Sequence, residues 1–244
     1  VAKSTGLGDD LLCGGYHIGG DIRDVVVSGG PALLDVTDIT QSGHSRLGGL
    51  GDGHMALTSY HDPAPGQSHA VFSALPTADE IMTYLRGQAI GGASACLNAK
   101  QINYDPTRAN TGELTFKVNG DGNAYGLEWG VQLTAGVRTD TTATNGTSYD
   151  TLASATFGGQ AYLQAVAVTG TSFTVTIQDS ADNSSFSNVT GLSFTAVSAA
   201  PQAQRIAIAN GQTIRRYVRA VTTGTFTVAA FQVTLAKNGL AVVF

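Results

Sequence analysis

The sequence predicts a mainly β protein with one short helix, organised as two β-rich parts. Three observations carry this. Apolar residues alternate with polar ones over short runs: Leu114, Phe116 and Val118 stand against Glu113, Thr115 and Lys117, and Phe173, Val175 and Ile177 repeat the pattern. A period of two puts one face of a strand inward. Glycine, at 31 of 244 residues, punctuates these runs at short intervals, as turns between strands require. Helical spacing occurs once, at 67–75, where Ala70, Val71, Ala74 and Leu75 share a face beside Phe72, and Pro76 supplies a stop.

Taken in order, residues 1–30 are glycine-rich with little periodicity. They read as an extended arm docked on a neighbour, with Leu11-Leu12 and Val25–Val27 as anchors. A first domain is expected over 31–139. It opens with a strand-like run, Pro31–Asp38, and a second, His54–Tyr60, flanking a loop at Gln41–Gly53. That loop holds five glycines and two leucines it cannot bury itself, and it is too long for a tight hairpin turn. It is therefore expected to be ordered by a partner, another copy of the chain. A turn at Asp62–Gly66, the helix, strands at Glu80–Arg86 and Cys96–Tyr104, and a polar turn to Gly112 follow. Residues 113–118 and 125–133 are expected to pair as a hairpin across Asn119–Asn123. The Thr-rich stretch 140–150 lacks an apolar stripe and reads as a linker. A second domain, a β-sandwich, is expected over 151–236, with strands at 161–168, 173–178, 192–197, 204–208, 214–222 and 225–236. An apolar tail, 237–244, closes the chain and is expected to pack on something.

Composition narrows the function. Charged residues are 13% of the chain and apolar residues 42%, a surface suited to burial in an assembly, where charges are costly to desolvate. The net charge of −5 divides unevenly: 8 basic and 15 acidic residues up to Asn145 give −7, and 5 against 3 beyond it give +2. No basic patch exists to hold nucleic acid by counterion release. Cys13 and Cys96 form no CxxC, so neither a disulfide framework nor a metal knuckle is expected. No apolar run approaches membrane-spanning length. The opening residues lack a signal-peptide pattern, so synthesis in a cytoplasm is expected.

No catalytic, cofactor or metal constellation stands out, and a non-enzyme is expected. His44, His54, His61 and His69 cluster in sequence without HExxH or HxH spacing. Asp179, Asp182 and Asn183 lack the acidic alternation and closing Glu of a calcium loop. Gly48–Gly53 is not followed by the Lys-Ser/Thr of a phosphate cradle. Glu113 and Glu128 fall at outward strand positions, where solvated or interface carboxylates are commonplace. Arg215, Arg216 and Arg219 read as a charged outer face, with Arg215 and Arg219 on one side.

The order of strand, glycine-rich stretch Arg46-Leu47-Gly48-Gly49-Leu50-Gly51-Asp52-Gly53, strand with Met55-Ala56-Leu57, helix and Glu80–Arg86 resembles the major tail tube proteins of long-tailed, siphovirus-like bacteriophages. Lys100–Pro106 and Gly112–Val118 are similar to that family's closing strands. The resemblance spans roughly 31–136 and is nearest to phages infecting actinobacteria. It implies a tail-tube β-sandwich or barrel with one flanking helix, self-associating into rings, usually hexameric, stacked into a hollow tube. The C-terminal sandwich would decorate that tube. It implies that Arg46, Leu47, Leu50 and Asp52 contact the adjacent ring. The implied partners are sister copies, the tape-measure protein and viral DNA in the lumen without specific binding, and the tail terminator and distal tail proteins, with no membrane and no cofactor. The implied location is the virion tail, after assembly in the host cytoplasm. A capsid decoration or minor tail protein, or a carbohydrate-binding module formed by the C-terminal sandwich, remain as alternatives.

Overall fold

The computed structural model describes residues 5–75 and 78–240. In chain order the elements are β1 (Asp10–Cys13), β2 (Tyr16–His17), a 3-10 turn (Gly19–Asp21), β3 (Ile22–Asp35), β4 (Arg46–Tyr60), α1 (Ser68–Phe72), β5 (Glu80–Leu85), β6 (Ala93–Gln101), β7 (Asp105–Arg108), β8 (Leu114–Gly122), β9 (Glu128–Gln132), β10 (Arg138–Asp140), β11 (Tyr149–Asp150), β12 (Gly159–Ser180), β13 (Ser187–Ser193), β14 (Gln202–Ile208) and β15 (Tyr217–Lys237). The protein is mainly β. It divides into two compact units, one of Val1–Gly20, Thr83–Cys96 and Trp129–Phe244, the other of Asp21–Met82 and Leu97–Glu128. Among the described residues the strand path β13-β12-β15-β9-β6-β5-β1-β2 does not return on itself and closes no barrel.

The first unit rests on β12 and β15, paired antiparallel from Gly159↔Lys237 to Ser180↔Tyr217. Sequence reading cuts each into two strands, because Thr169-Gly170-Thr171 and Thr222–Thr225 look like turns. They are bends within continuous strands. Gly170 and Gly224 take φ of +125° and +123°, and the register shifts beside Gly170, as at a β-bulge. A Cβ on Gly170 would meet the Phe226 Cα at 2.6 Å. β14 pairs with the first half of β12 and β13 with the second. Leu163 and Val233 before the bend share one buried cluster with Val175 and Ala220 beyond it. Phe173 sits among them, its ring 5.6 Å from Phe231 and edge-on to Phe226 at 6.0 Å.

Two expected accessories are parts of this unit instead. The stretch 140–150 is no linker: β10 and β11 pair with β15, and Asn145 bridges Val221. Asp140 is buried and accepts from Arg138 Nη2 at 2.7 Å and Thr222 Oγ1 at 2.6 Å. Backbone pairing holds this segment, so no apolar stripe marks it. Of the expected arm, 1–30, the described residues up to Gly20 belong to this unit and Ile22–Gly30 begin β3 in the other. Leu11 and Leu12 are buried within the same unit. Asp9 accepts from the Tyr84 hydroxyl and from Gly87 N at 3.0 Å. Burial and the Asp9 carboxylate push the Tyr84 phenol up to about 12. Asp10 accepts from His17 Nε2 at 2.7 Å and Gln88 Nε2 at 3.0 Å, and that bond raises the His17 pKa against its burial. Of the apolar tail, residues 241–244 lie outside the described residues, and Leu240 is exposed.

In the second unit β3 pairs with β4, β4 with β8, and β8 also with β6 and β7. The expected hairpin of 113–118 with 125–133 does not form, because β8 is already flanked and β9 pairs with β15 in the other unit. Helix α1 is shorter than predicted. Asp21 Oδ2 accepts from Ser68 N at 3.0 Å, which caps the first turn from outside the helix. Pro76, read as its stop, lies outside the described residues. Phe72 reaches Phe116, ring centroids 6.2 Å apart, over a core that includes Met55, Leu57, Leu97 and Val118.

Truncating Phe173, fully buried at the bend, is expected to cost about 3–5 kcal/mol. Urea unfolding of Phe173→Ala reads this as a lowered midpoint, with Leu240→Ala near wild type.

Candidate functional site

The glycine-rich stretch 46–53 is strand, not loop. β3 and β4 run as a ribbon from Ile22↔Ser59 to Asp35↔Arg46, and the connection is 36–45. The ladder needs only backbone groups, so glycines enter it without the alternation that reveals a strand. The connection is built by two Asp-x-Thr turns, Asp35-Val36-Thr37 and Asp38-Ile39-Thr40. Asp35 Oδ1 accepts from Thr37 N at 3.0 Å and Oγ1 at 2.5 Å, and Asp38 Oδ1 from Thr40 N at 2.8 Å and Oγ1 at 2.5 Å. Ser45 N donates to Thr37 Oγ1 at 2.9 Å and His44 Nδ1 bonds Asp35 Oδ2 at 2.9 Å, closing the loop on itself. Bonds from Thr37 hold the Asp35 carboxyl below its ordinary value, and bonds from Thr40 do the same for Asp38. This repeated motif is the sequence signal that locates the turn.

The ribbon is anchored at one end only. β8 covers β4 over His54–Tyr60, and among the described residues Arg46–Gly53 has only β3 as a ladder partner and β3 has only β4. At the anchored end Met55, Leu57 and Ser59 are buried. Gly29 and Gly53 lie opposite each other and receive the segment before β9 directly. A Cβ on Gly53 would sit 2.5 Å from Leu97 Cδ1 and 2.7 Å from Leu127 N, and one on Gly29 2.6 Å from Leu127 Cβ. Glycine at both positions is a demand of close approach.

Beyond that point the side chains are uncovered. Leu47 stands opposite Leu34, and the two are 57% and 53% exposed. Leu50 is 86% exposed, in a bulge where Gly49 and Leu50 face the single residue Ala32. Leu33, Val36 and, at the tip, Ile39 are also exposed. The structure thus joins Leu47 to Leu34, a partner that sequence reading placed in the lead-in strand without a role. It adds Ile39, which that reading passed over. Arg46 lies opposite Asp35 and Asp52 opposite Gly30. Asp52 Oδ1 accepts from Gly53 N at 2.7 Å, and its carbonyl accepts from Leu127 N at 3.3 Å, so its side chain serves its own backbone. Arg46, Leu47, Leu50 and Asp52 all fall on β4.

The histidines take part in local contacts. His54 Nδ1 bonds Asp121 at 2.6 Å, His69 Nδ1 bonds the Tyr104 hydroxyl at 2.6 Å, and the His61 and His69 rings lie 4.3 Å apart. Glu113 pairs with Arg23 at 2.8 Å. Among the described residues no three His, Cys, Asp or Glu gather as a metal site would need. No described helix is long and apolar enough to cross a membrane.

No family model matches the sequence, and no curated protein matches it. Solved structures that resemble the chain include the tail of an empty gene transfer agent particle refined with C6 symmetry, at 14% identity and TM-score 0.37, over 44% of this chain and 80% of that one. The virion of a native gene transfer agent particle matches at 12% identity and TM-score 0.42, over 52% and 98%. The SPP1 Dit protein, described as a hub of the adsorption apparatus of phages infecting Gram-positive bacteria, matches at 10% identity and TM-score 0.35, over 94% and 99%.

Gly53→Val is expected to destabilise the protein by about 1–3 kcal/mol, the cost of forcing a side chain into a filled space, read as a lowered thermal midpoint. The turn is expected to respond to acid. A depressed carboxyl stabilises above its unfolded pKa, and that contribution is lost as pH falls through the folded value. Hydrogen-exchange protection of 36–45 should therefore hold at neutral pH and fall below the ordinary carboxylate range. Asp35→Asn and Asp38→Asn together should flatten that dependence.

Proposed function

We propose that this chain is a structural protein of a bacteriophage tail that builds the tube from stacked, six-membered rings of itself. The observation that carries the reading is the ribbon: Leu33, Leu34, Val36, Ile39, Leu47 and Leu50 exposed on a self-closed hairpin. Apolar side chains held in fixed geometry on a two-stranded ribbon are an interaction surface, and an isolated ribbon of this kind is marginal in water. The resemblance of 31–136 to major tail tube proteins supports sister copies as the partner. In this reading Leu47 and Leu50, with Leu34 and Ile39, fill apolar pockets on the adjacent ring, and Arg46 and Asp52 set its orientation.

Open edges on β3 and on the outer half of β4 favour the same reading, since strands of a neighbouring copy would complete them. The acidic balance of the residues up to Asn145 suits a bore that holds the tape-measure protein and then passes DNA without gripping phosphate. Tail terminator and distal tail proteins would close the ends of such a tube.

The test is the double variant Leu47→Asp with Leu50→Asp. Both residues are exposed, so stability should change by less than about 1 kcal/mol. Circular dichroism should be unchanged, while negative-stain images show tubes or rings for the wild type and neither for the variant. Normal tubes from the variant would remove the ribbon from assembly. A wild type that stays monomeric when concentrated would sink the proposal.

A further inference from the structure

On the first unit lies a cavity of about 470 Å³ lined by Asp179, Ser187–Thr190, Gln212, Thr213 and Arg215. Its volume is that of a small-ligand pocket. Two of its polar groups are held in place from behind. Asp179 is buried. It accepts from Arg215 N at 2.7 Å, Nε at 2.8 Å and Nη2 at 2.5 Å, and Arg215 Nη2 also donates to the Ser187 hydroxyl at 2.5 Å. The guanidinium is thereby locked, and its Nη1 makes no hydrogen bond among the described residues. Asn188 is fixed by a relay: Arg219 Nη2 donates to Gln178 Oε1 at 2.7 Å, and Gln178 Nε2 donates to Asn188 Oδ1 at 2.9 Å. Asn188 Nδ2 makes no hydrogen bond among the described residues. Arg219 is itself seated over the Phe186 ring at 4.1 Å.

The charged side chains of the lining are the Arg215–Asp179 pair, and Lys237, whose Nζ donates to the Arg215 carbonyl at 3.1 Å, and Arg219 adjoin it without lining the cavity. Arg219 is bonded to an amide and not to a carboxylate, so its charge is not cancelled locally. The remaining wall offers the Thr190 and Thr213 hydroxyls and the Gln212 amide, with Val189 buried beneath. Fixed N–H donors beside several neutral hydroxyl and amide groups match a ligand that carries one anionic group on a polyhydroxylated body.

We propose that this cavity binds a carboxylated saccharide, its carboxylate on Arg215 Nη1 and Asn188 Nδ2 and its hydroxyls on Thr190, Gln212 and Thr213. Arg215 is the wrong residue to remove, because it holds the buried Asp179. Asn188→Asp keeps the acceptor for Gln178 and replaces the donors by a negative charge, at an exposed position.

Saturation-transfer NMR on the full chain, with a disaccharide ending in glucuronate, tests this whether the protein is monomeric or assembled, so it stands apart from the tube reading. The glucuronate should give transfer signals that the matched neutral glucoside shows at least tenfold more weakly. Asn188→Asp should weaken binding at least tenfold with unchanged circular dichroism. Thr213→Ala should weaken the sugar further than it weakens inorganic phosphate. Absence of glucuronate binding, equal binding of the neutral sugar, or an unaffected Asn188→Asp would each overturn the assignment. So would inorganic phosphate that binds as tightly as the glucuronate, which would mark a site for bare anions.

Discussion

The obligation of every buried backbone N–H and C=O to find a partner organises both units more than any side-chain cluster does. In the first, β12 and β15 satisfy it over some twenty consecutive residues each and carry β13, β14, β10 and β11 along their margins. In the second, β3 and β4 do the same over a ribbon whose outer half has little apolar packing of its own. Small and polar residues suffice where the ladder does the holding. The chain can therefore be rich in Gly, Thr, Ser and Ala and still be ordered.

Where packing does matter, it concentrates at the points where ladders bend or receive another segment. Gly170 and Gly224 let β12 and β15 turn, so that the two halves of the same strands enclose Phe173, Phe226 and Phe231. Gly29 and Gly53 let Leu127 lie directly on the ribbon. Fully burying a leucine is worth about 1.5–3 kcal/mol. The exposed leucines beyond Gly53 therefore represent a substantial driving force that the isolated chain does not use.

The alternation at 173–178, that at 116–118 though not the exposed Leu114, the β content of the second half and the existence of α1 were legible in the sequence, because side-chain period reports burial directly. The ribbon was not. Its glycines carry no period, and 46–53 is strand because its ladder partners are Gly29–Asp35, a run whose last five residues fall within the expected lead-in strand and whose first two fall within the expected arm. The same blindness split β12 and β15 at their glycines and turned 140–150 into a linker. The residues that the family resemblance implies as contacts, Arg46, Leu47, Leu50 and Asp52, lie on β4 and not in a loop. Leu34 became visible only through register, and Ile39 through the Asp-x-Thr turns that hold it outward.

An uncapped strand edge accepts almost any other strand, so hydrogen bonding alone gives the ribbon no way to choose its company. If the ribbon pairs as proposed, discrimination falls to Asp24, Asp35 and Asp52 on the strands and Asp38 in the connection, with Arg46 as the guanidinium of the outer half. A stray hydrophobic strand laid along this margin would have to strip water from those acids without compensation. A mate that brings cations to the same spacing would not. On the proposed reading these acids would act as gatekeepers against promiscuous sticking before sister copies arrive.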